Sequence, residues 1–265
     1  MPRPLALVTG ASAGIGQCFA EQLAASGHDL ILVARRRDRL DTLAARLRDA
    51  HGAGVEVLAA DLASPAGVDA VAARAAAAPL ELLVNNAGFG GYRAFAEVDP
   101  QVADELLSVH VRAVVQVTRA ALPGMLARGR GGVISVASLL ALSGAAPAGA
   151  PLPQRVVYAA AKAFQLTFTQ VLAAELAGTP VRASVCLPGL VKTEFHEVQG
   201  IDTSQMPPRM LPEDVARAAL AGLARGEVVC VPGLEDTGPL TQIEEAQRTA
   251  LAAARSVQLA GRYRG

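Results

Sequence analysis

At 265 residues the chain is long enough to bury a large α/β core as one domain. Its 24 Lys and Arg side chains balance 24 Asp and Glu, and this zero net charge argues against a charge-driven nucleic-acid or anionic-membrane partner. The hydrophobic share of 52% comes largely from alanine, and no apolar run reaches the ~18 residues that a membrane span requires.

In chain order, residues 5–8 read as a strand, 15–26 as a helix, 29–33 as a strand and 38–50 as a helix with one charged and one apolar face. A strand over 55–59, a helix over 65–77 and a strand over 80–84 follow. A long helix is expected from residue 100 to about 127, then a strand over 132–136 and a helix over 156–176. A strand over 181–187, a helix over 212–225 and a strand over 227–231 complete the alternation. Strands separated by helices of this length imply βαβ units with right-handed crossovers, and near-continuous apolar strands suit a parallel sheet covered on both faces.

Two stretches break the rhythm. Residues 143–154 form a Gly/Pro/Ala loop, and residues 193–211 hold His196, Gln199, Met206 and Met210 with no clear period. Loops of this length in a compact domain are functional or disordered. The tail, residues 234–265, carries a polar helical pattern over 241–257 with no turn-rich linker ahead of it, so one domain over 1–265 is expected. The strand-like run at Leu5 leaves no room for a signal peptide. Cys18, Cys186 and Cys230, odd in number and far apart in sequence, read as reduced thiols of a cytoplasmic protein. The four histidines have no metal-ligand spacing, so no metal is expected.

Thr9-Gly10-Ala11-Ser12-Ala13-Gly14-Ile15-Gly16 lies between the first strand and the first helix. Glycines let the backbone approach a pyrophosphate, and the helix N-terminus offers it free N–H groups and a positive dipole end. The spacing is G-x-x-x-G-x-G rather than G-x-G-x-x-G. Where the second strand ends, an Asp or Glu would bind a ribose 2′-OH. Here Ala34 is followed by Arg35 and Arg36. Guanidinium groups without a neighbouring carboxylate favour a 2′-phosphate, hence NADP(H) over NAD(H). Arg37 and Arg39 read as the solvated start of the next helix.

The chain has three tyrosines and two lysines against twenty-two arginines, yet Tyr158 and Lys162 stand one helical turn apart. Residues at i and i+4 share a helix face, and an adjacent ammonium would lower a Tyr pKa from its reference near ~10. A Tyr tuned in this way can exchange a proton with a substrate oxygen. Taken alone, the pair could equally be a half-buried Tyr beside a solvated Lys.

Together with the glycine loop, Asn85-Asn86-Ala87-Gly88 after the fourth strand and Ser138 after the fifth, Tyr158-x-x-x-Lys162 makes the chain resemble the short-chain dehydrogenase/reductase family over about residues 4–233. The resemblance implies a Rossmann-like α/β/α fold, a doubly wound sheet of seven parallel strands, and a homodimer or homotetramer. It also implies reversible hydride transfer between a nicotinamide cofactor and a small-molecule carbonyl or alcohol. By position, Tyr158 would be the general acid/base. Lys162 would tune it and hold the nicotinamide ribose, while Ser138 would bind the substrate oxygen. Gly10, Ser12, Gly14, Ile15 and Gly16 would cradle the phosphates, with Arg35 and Arg36 at the 2′-phosphate. Asp61 and Leu62 would flank the adenine, and Asn85, Ala87 and Gly88 the adenosine ribose. Pro188, Gly189, Val191 and Thr193 would border the nicotinamide carboxamide.

Three features depart from the family pattern. His110 stands where the family has an Asn that helps hold a water linking the Lys to solvent, so it is either a relay group or a satisfied buried His. Ser138 precedes Tyr158 by twenty residues, more than is common, with the 143–154 loop as the excess. Ala13 replaces a basic residue, which places the burden of the 2′-phosphate on Arg35, assisted by Ser12 or Arg36. Phe89, Tyr92, Leu139, Leu140, Leu152, Phe195 and Met206 would wall a pocket for a mostly apolar ketone, aldehyde or secondary alcohol. A redox-neutral dehydratase or epimerase and a non-catalytic NADP(H)-binding regulator remain the alternatives.

Overall fold

The computed structural model describes residues 2–147, 150, 152–255 and 257–264. Residues 148, 149 and 151 of the expected 143–154 loop lie outside the described residues. In the first strand, β1 (Leu5–Thr9), Ala6 and Val8 enter one apolar layer and Leu7 the other. In β2 (Asp29–Ala34), Leu30 and Leu32 part from Ile31 and Val33 in the same way. Successive strand side chains point to opposite faces, so an unbroken apolar run makes a strand buried on both sides.

The remaining strands are β3 (Val55–Ala59), β4 (Leu80–Asn85), β5 (Gly131–Val136), β6 (Val181–Cys186) and β7 (Val229–Cys230). They form one sheet in the order β3-β2-β1-β4-β5-β6-β7, with every neighbouring pair parallel. On one face lie α1 (Gly14–Ala25), α2 (Arg37–His51) and α7 (Pro212–Arg225), packed through Phe19, Leu23, Leu40, Leu47 and Val215. On the other lie α3 (Pro65–Ala77), α5 (Ala113–Arg128) and α6 (Val156–Glu175), packed through Val68, Val71, Val117, Ala121 and Leu172. The chain winds outward in opposite directions from β1 and from β4. Their carboxyl ends therefore open a crevice at the topological switch point.

Two elements of the sheet domain differ from the sequence reading. The expected long helix is α4 (Pro100–Leu107) and α5 joined by a π-helical turn over Ser108–Arg112. Such a turn adds a residue without breaking the helix, so periodicity does not register it, and it carries His110 into the interior. The last strand shrinks to two residues. Gly226 ends α7 at φ +79, the Glu227 N–H turns back to Gly222 O, and Pro232 has no N–H to extend the ladder. Two of the three free thiols, Cys186 and Cys230, are register partners across β6 and β7.

The chain divides into two compact units, residues 1–232 and 233–265. The second contains α8 (Gly238–Ala253), which starts earlier than expected because Asp236 Oδ1 accepts from the Gly238 N–H at 2.9 Å. Among the described residues no helix is long and apolar enough to cross a membrane.

Candidate active site

The glycine loop is built for close approach. Gly10 (φ +69) and Gly14 (φ +55) adopt left-handed backbone that other L residues avoid. A Cβ on Gly16 would lie 2.3 Å from Gly10 O and 2.4 Å from Asn86 Nδ2, and one on Gly10 would lie 2.7 Å from Asn86 Nδ2. Thr9 and Asn86 staple the loop to the end of β4. Thr9 Oγ1 accepts from the N–H groups of Asn86 and Ala87 at 2.9 and 3.0 Å, and Asn86 Nδ2 donates to Thr9 O at 2.9 Å. Ala13, at the N-cap of α1, makes no side-chain capping bond. The first-turn N–H groups therefore face the crevice mouth with no side-chain oxygen from the cap residue, as a bound pyrophosphate requires. A dinucleotide fits this cradle.

At the end of β2, Arg36 turns toward the loop and donates to Ser12 Oγ from Nε (3.3 Å) and Nη2 (3.1 Å), while Arg35 is exposed. The expected order of the two is thus reversed in proximity to Ser12. Arg37 pairs with Asp41 on its own helix, as a solvated helix start would. Arg39 is likewise exposed in the first turn of α2, and its Nη1 also reaches Glu194 Oε2 at 2.8 Å.

Tyr158 and Lys162 lie on one face of α6 and are buried together, with Nζ 5.6 Å from the phenol ring centre. The Tyr158 hydroxyl lies beside those of Ser138 and Tyr92, near enough for both to bear on its protonation. Ser138 starts the short helical segment Leu139–Ala145, its Oγ accepting from Leu140 N–H at 3.2 Å. The pKa of Tyr158 moves opposite to the expected direction. Burial raises it well above the usual phenol range, the neighbouring Tyr92 adds to the rise, and the Ser138 hydroxyl only partly opposes it. Burial also drives the Lys162 amine down to about 7, so the ammonium expected to lower the phenol is itself disfavoured.

Behind Lys162 lies a chain of buried bonds. Nζ donates to Val136 O at 2.8 Å and to Gln165 Oε1 at 3.1 Å, and Gln165 Nε2 donates to His110 O at 3.0 Å. His110 thus meets this chain through its backbone carbonyl. Its ring nitrogen Nε2 lies 2.9 Å from Phe89 O, and Nδ1 is buried without a partner among the described residues. Burial, with the nearby Lys162 charge, holds the imidazole pKa well below its usual value. Gly88 makes room for the ring, since a Cβ there would lie 2.5 Å from His110 Cε1.

Aromatic rings surround the Tyr158 phenol. Tyr92 and His110 meet it edge-on at 5.5 Å and Phe195 lies at 6.2 Å, while Phe89 stands beside His110. Leu139 and Leu152 are exposed, Leu140 and Met206 half-buried. Val191 bridges to Met210, and Thr193 packs its Cγ2 over Gly14. Pro188 O accepts from Leu139 N–H, and Leu139 reaches Gly189. Asn85 points inward to Thr118 Oγ1 at 2.9 Å, leaving the crevice contacts to Asn86 and to Ala87 and Gly88. Ile15 packs on the core, Asp61 caps its own turn through Ala63 N–H, and the Leu62 carbonyl accepts from Ser108. Sequence reasoning missed Gln165 and Glu194. Gln165, three residues after Lys162 on the same helix face, could have been found by spacing; Glu194, 155 residues from Arg39, could not.

Residues 4–202 match the family model for short chain dehydrogenase. A short-chain dehydrogenase from Sphingobium yanoikuyae, solved in complex with NADPH, is 34% identical with a TM-score of 0.92, covering 98% of this chain and 100% of that one. The bulky-bulky ketone specific alcohol dehydrogenase from Comamonas testosteroni is 30% identical with a TM-score of 0.89, covering 100% of both chains. Among curated sequences, the NADP-dependent 3-hydroxy acid dehydrogenase of Salmonella typhi is 33% identical over 226 residues, 81% of this chain and 86% of that protein. The chain belongs to the short-chain dehydrogenase family of oxidoreductases, which interconvert CH–OH and C=O groups with a nicotinamide dinucleotide.

Proposed function

We propose that this enzyme is an NADP(H)-dependent carbonyl reductase or alcohol dehydrogenase for mostly apolar ketones, aldehydes or the matching secondary alcohols, with Tyr158 as general acid/base. NADP(H) is its cofactor, in keeping with the guanidinium groups after β2 and with the NADPH-bound and NADP-dependent relatives. The observation that carries the catalytic reading is the meeting of the Ser138, Tyr92 and Tyr158 hydroxyls inside an aromatic wall, with Lys162 one turn behind.

When bound, the nicotinamide supplies or accepts the hydride at the substrate carbon. In reduction, negative charge grows on the substrate oxygen, where the Ser138 and Tyr158 hydroxyls would meet it with preorganised hydrogen bonds. Burial keeps the phenol protonated, so it holds a proton that it can give to the nascent alkoxide as charge grows there. Lys162, held by Val136 O and Gln165, stands where its ammonium would offset the phenolate left behind. Phe89, Tyr92 and Phe195 favour an apolar substrate and keep water from the reacting oxygen. The relative named for bulky-bulky ketones supports a substrate with two large substituents.

The test is NADPH consumption across bulky ketones, aldehydes and 3-keto acids. Turnover highest on the apolar ketones is expected. Preference for 3-keto acids would move the substrate class toward that of the Salmonella typhi relative, and turnover without net NADPH consumption would replace the reading with a redox-neutral one.

A further inference from the structure

Glu194 is a carboxylate inside the arginine cluster that a 2′-phosphate needs. Its Oε1 lies 2.5 Å from Arg36 Nη2 and its Oε2 lies 2.8 Å from Arg39 Nη1. The same Arg36 nitrogen donates to Ser12 Oγ at 3.1 Å, so Ser12, Arg36 and Glu194 share one guanidinium edge. The carboxylate is brought there by the other side of the crevice. Val191 bridges to Met210, Lys192 N–H donates to Met210 O at 2.8 Å, and Met210 N–H donates to Leu190 O at 2.9 Å, closing the base of the 193–209 segment. Thr193 then packs on Gly14, which leaves Glu194 no nearer cationic partners than Arg36 and Arg39 among the described ion pairs.

We infer that Glu194 is a specificity-determining residue that competes with the cofactor 2′-phosphate for Arg36 and Arg39, weakening NADP(H) selectively and narrowing its lead over NAD(H). This rests on the NADP(H) reading above. A 2′-phosphate at Ser12 and Arg36 places up to two negative charges beside a third, and the two guanidiniums must then be shared between phosphate and carboxylate. A ribose 2′-OH brings no charge and meets no such opposition.

The experiment is equilibrium titration of the purified full chain with NADPH, NADH and 2′,5′-ADP, following nucleotide fluorescence or heat, for the wild type, Glu194→Gln and Glu194→Ala. Glu194 is partly exposed, so the near-isosteric Gln leaves packing intact. NADPH and 2′,5′-ADP are expected to bind about tenfold tighter in both variants, with NADH changed less than about twofold, as follows from removing one like charge at a partly solvated site. Unchanged NADPH affinity in the variants overturns the inference while leaving the cofactor reading standing. Equal weakening of NADPH and NADH also overturns it and makes Glu194 a clasp over the whole dinucleotide. A wild type that binds neither dinucleotide overturns both.

Discussion

Around Thr9, Gly16 and Asn86 the backbone makes the site, whereas around Tyr158, Tyr92 and Phe195 the side chains make it. On the first side, left-handed glycines, a helix N-terminus and hydrogen bonds between main chain and the Thr9 and Asn86 side chains define a surface whose tolerance ends at a single Cβ. On the second side, rings from β4's following loop, from α6 and from the 193–211 segment converge, and their polar groups are tuned by burial. On the proposed function, the phosphate cradle is set by backbone geometry at the glycines, and the choice between NADP(H) and NAD(H) by the side chains Ser12, Arg36 and Glu194. On the same proposal, proton chemistry and substrate choice fall to side chains brought from distant parts of the chain.

The largest effect that would separate the two regions is expected from Tyr158→Phe. It should lower kcat by about 10²–10⁴-fold while leaving NADPH affinity within about twofold; near-normal turnover would remove Tyr158 from the acid/base role. Gly16→Ala strikes the opposite side. The added Cβ meets Gly10 O, so NADPH affinity should fall by about a hundredfold or more as the loop is forced open. Gly144→Ala, where an added Cβ meets nothing within 4 Å, is the matched control and should bind NADPH normally.

A smaller effect is expected behind Lys162. Gln165→Leu removes an acceptor from the buried ammonium, so the Lys162 pKa should fall further below about 7, while Gln165→Glu should raise it. The limb of the kcat–pH profile that reports Lys162 should move to lower pH in the first variant and higher in the second, with kcat itself lowered about tenfold in the first. Parallel profiles in both variants would confine Gln165 to packing.

The smallest effect is on stability. Burial pushes the Lys162 amine down to about 7, against 10.5 for a solvated lysine, so between those values the unfolded chain binds the extra proton. The Lys162 penalty is therefore fully present below about pH 7 and fades as pH climbs toward 10.5, so stability from this group rises with pH. Lys162→Met should melt a few degrees higher than wild type near pH 6, with the gap closing toward pH 10. A gap constant across that window would mean that the amine is not neutral in the folded enzyme.

The element rhythm was legible because the parallel strands are buried on both faces and the helices on one, patterns that survive in a linear sequence. Gly10, Gly14 and Gly16 were legible because only glycine suits those backbone angles and approaches. The π-helical turn at His110 was not, since one extra residue in a continuous helix leaves the apolar spacing almost unchanged. Nor was the direction of the Tyr158 shift. Proximity to Lys162 followed from i,i+4 spacing, but the sign depended on burial, which local spacing does not contain.

By itself the sequence determined the βαβ succession, the placement of the phosphate loop between strand and helix, and the shared helix face of Tyr158 and Lys162. All three are local consequences of backbone geometry. Only the tertiary structure decided that Asn86 rather than Asn85 faces the glycine loop, that Gln165 joins Lys162 to the His110 backbone, and that Glu194 sits between Arg36 and Arg39. Those contacts depend on which residues the sheet brings together at the crevice and on how much water their burial removes.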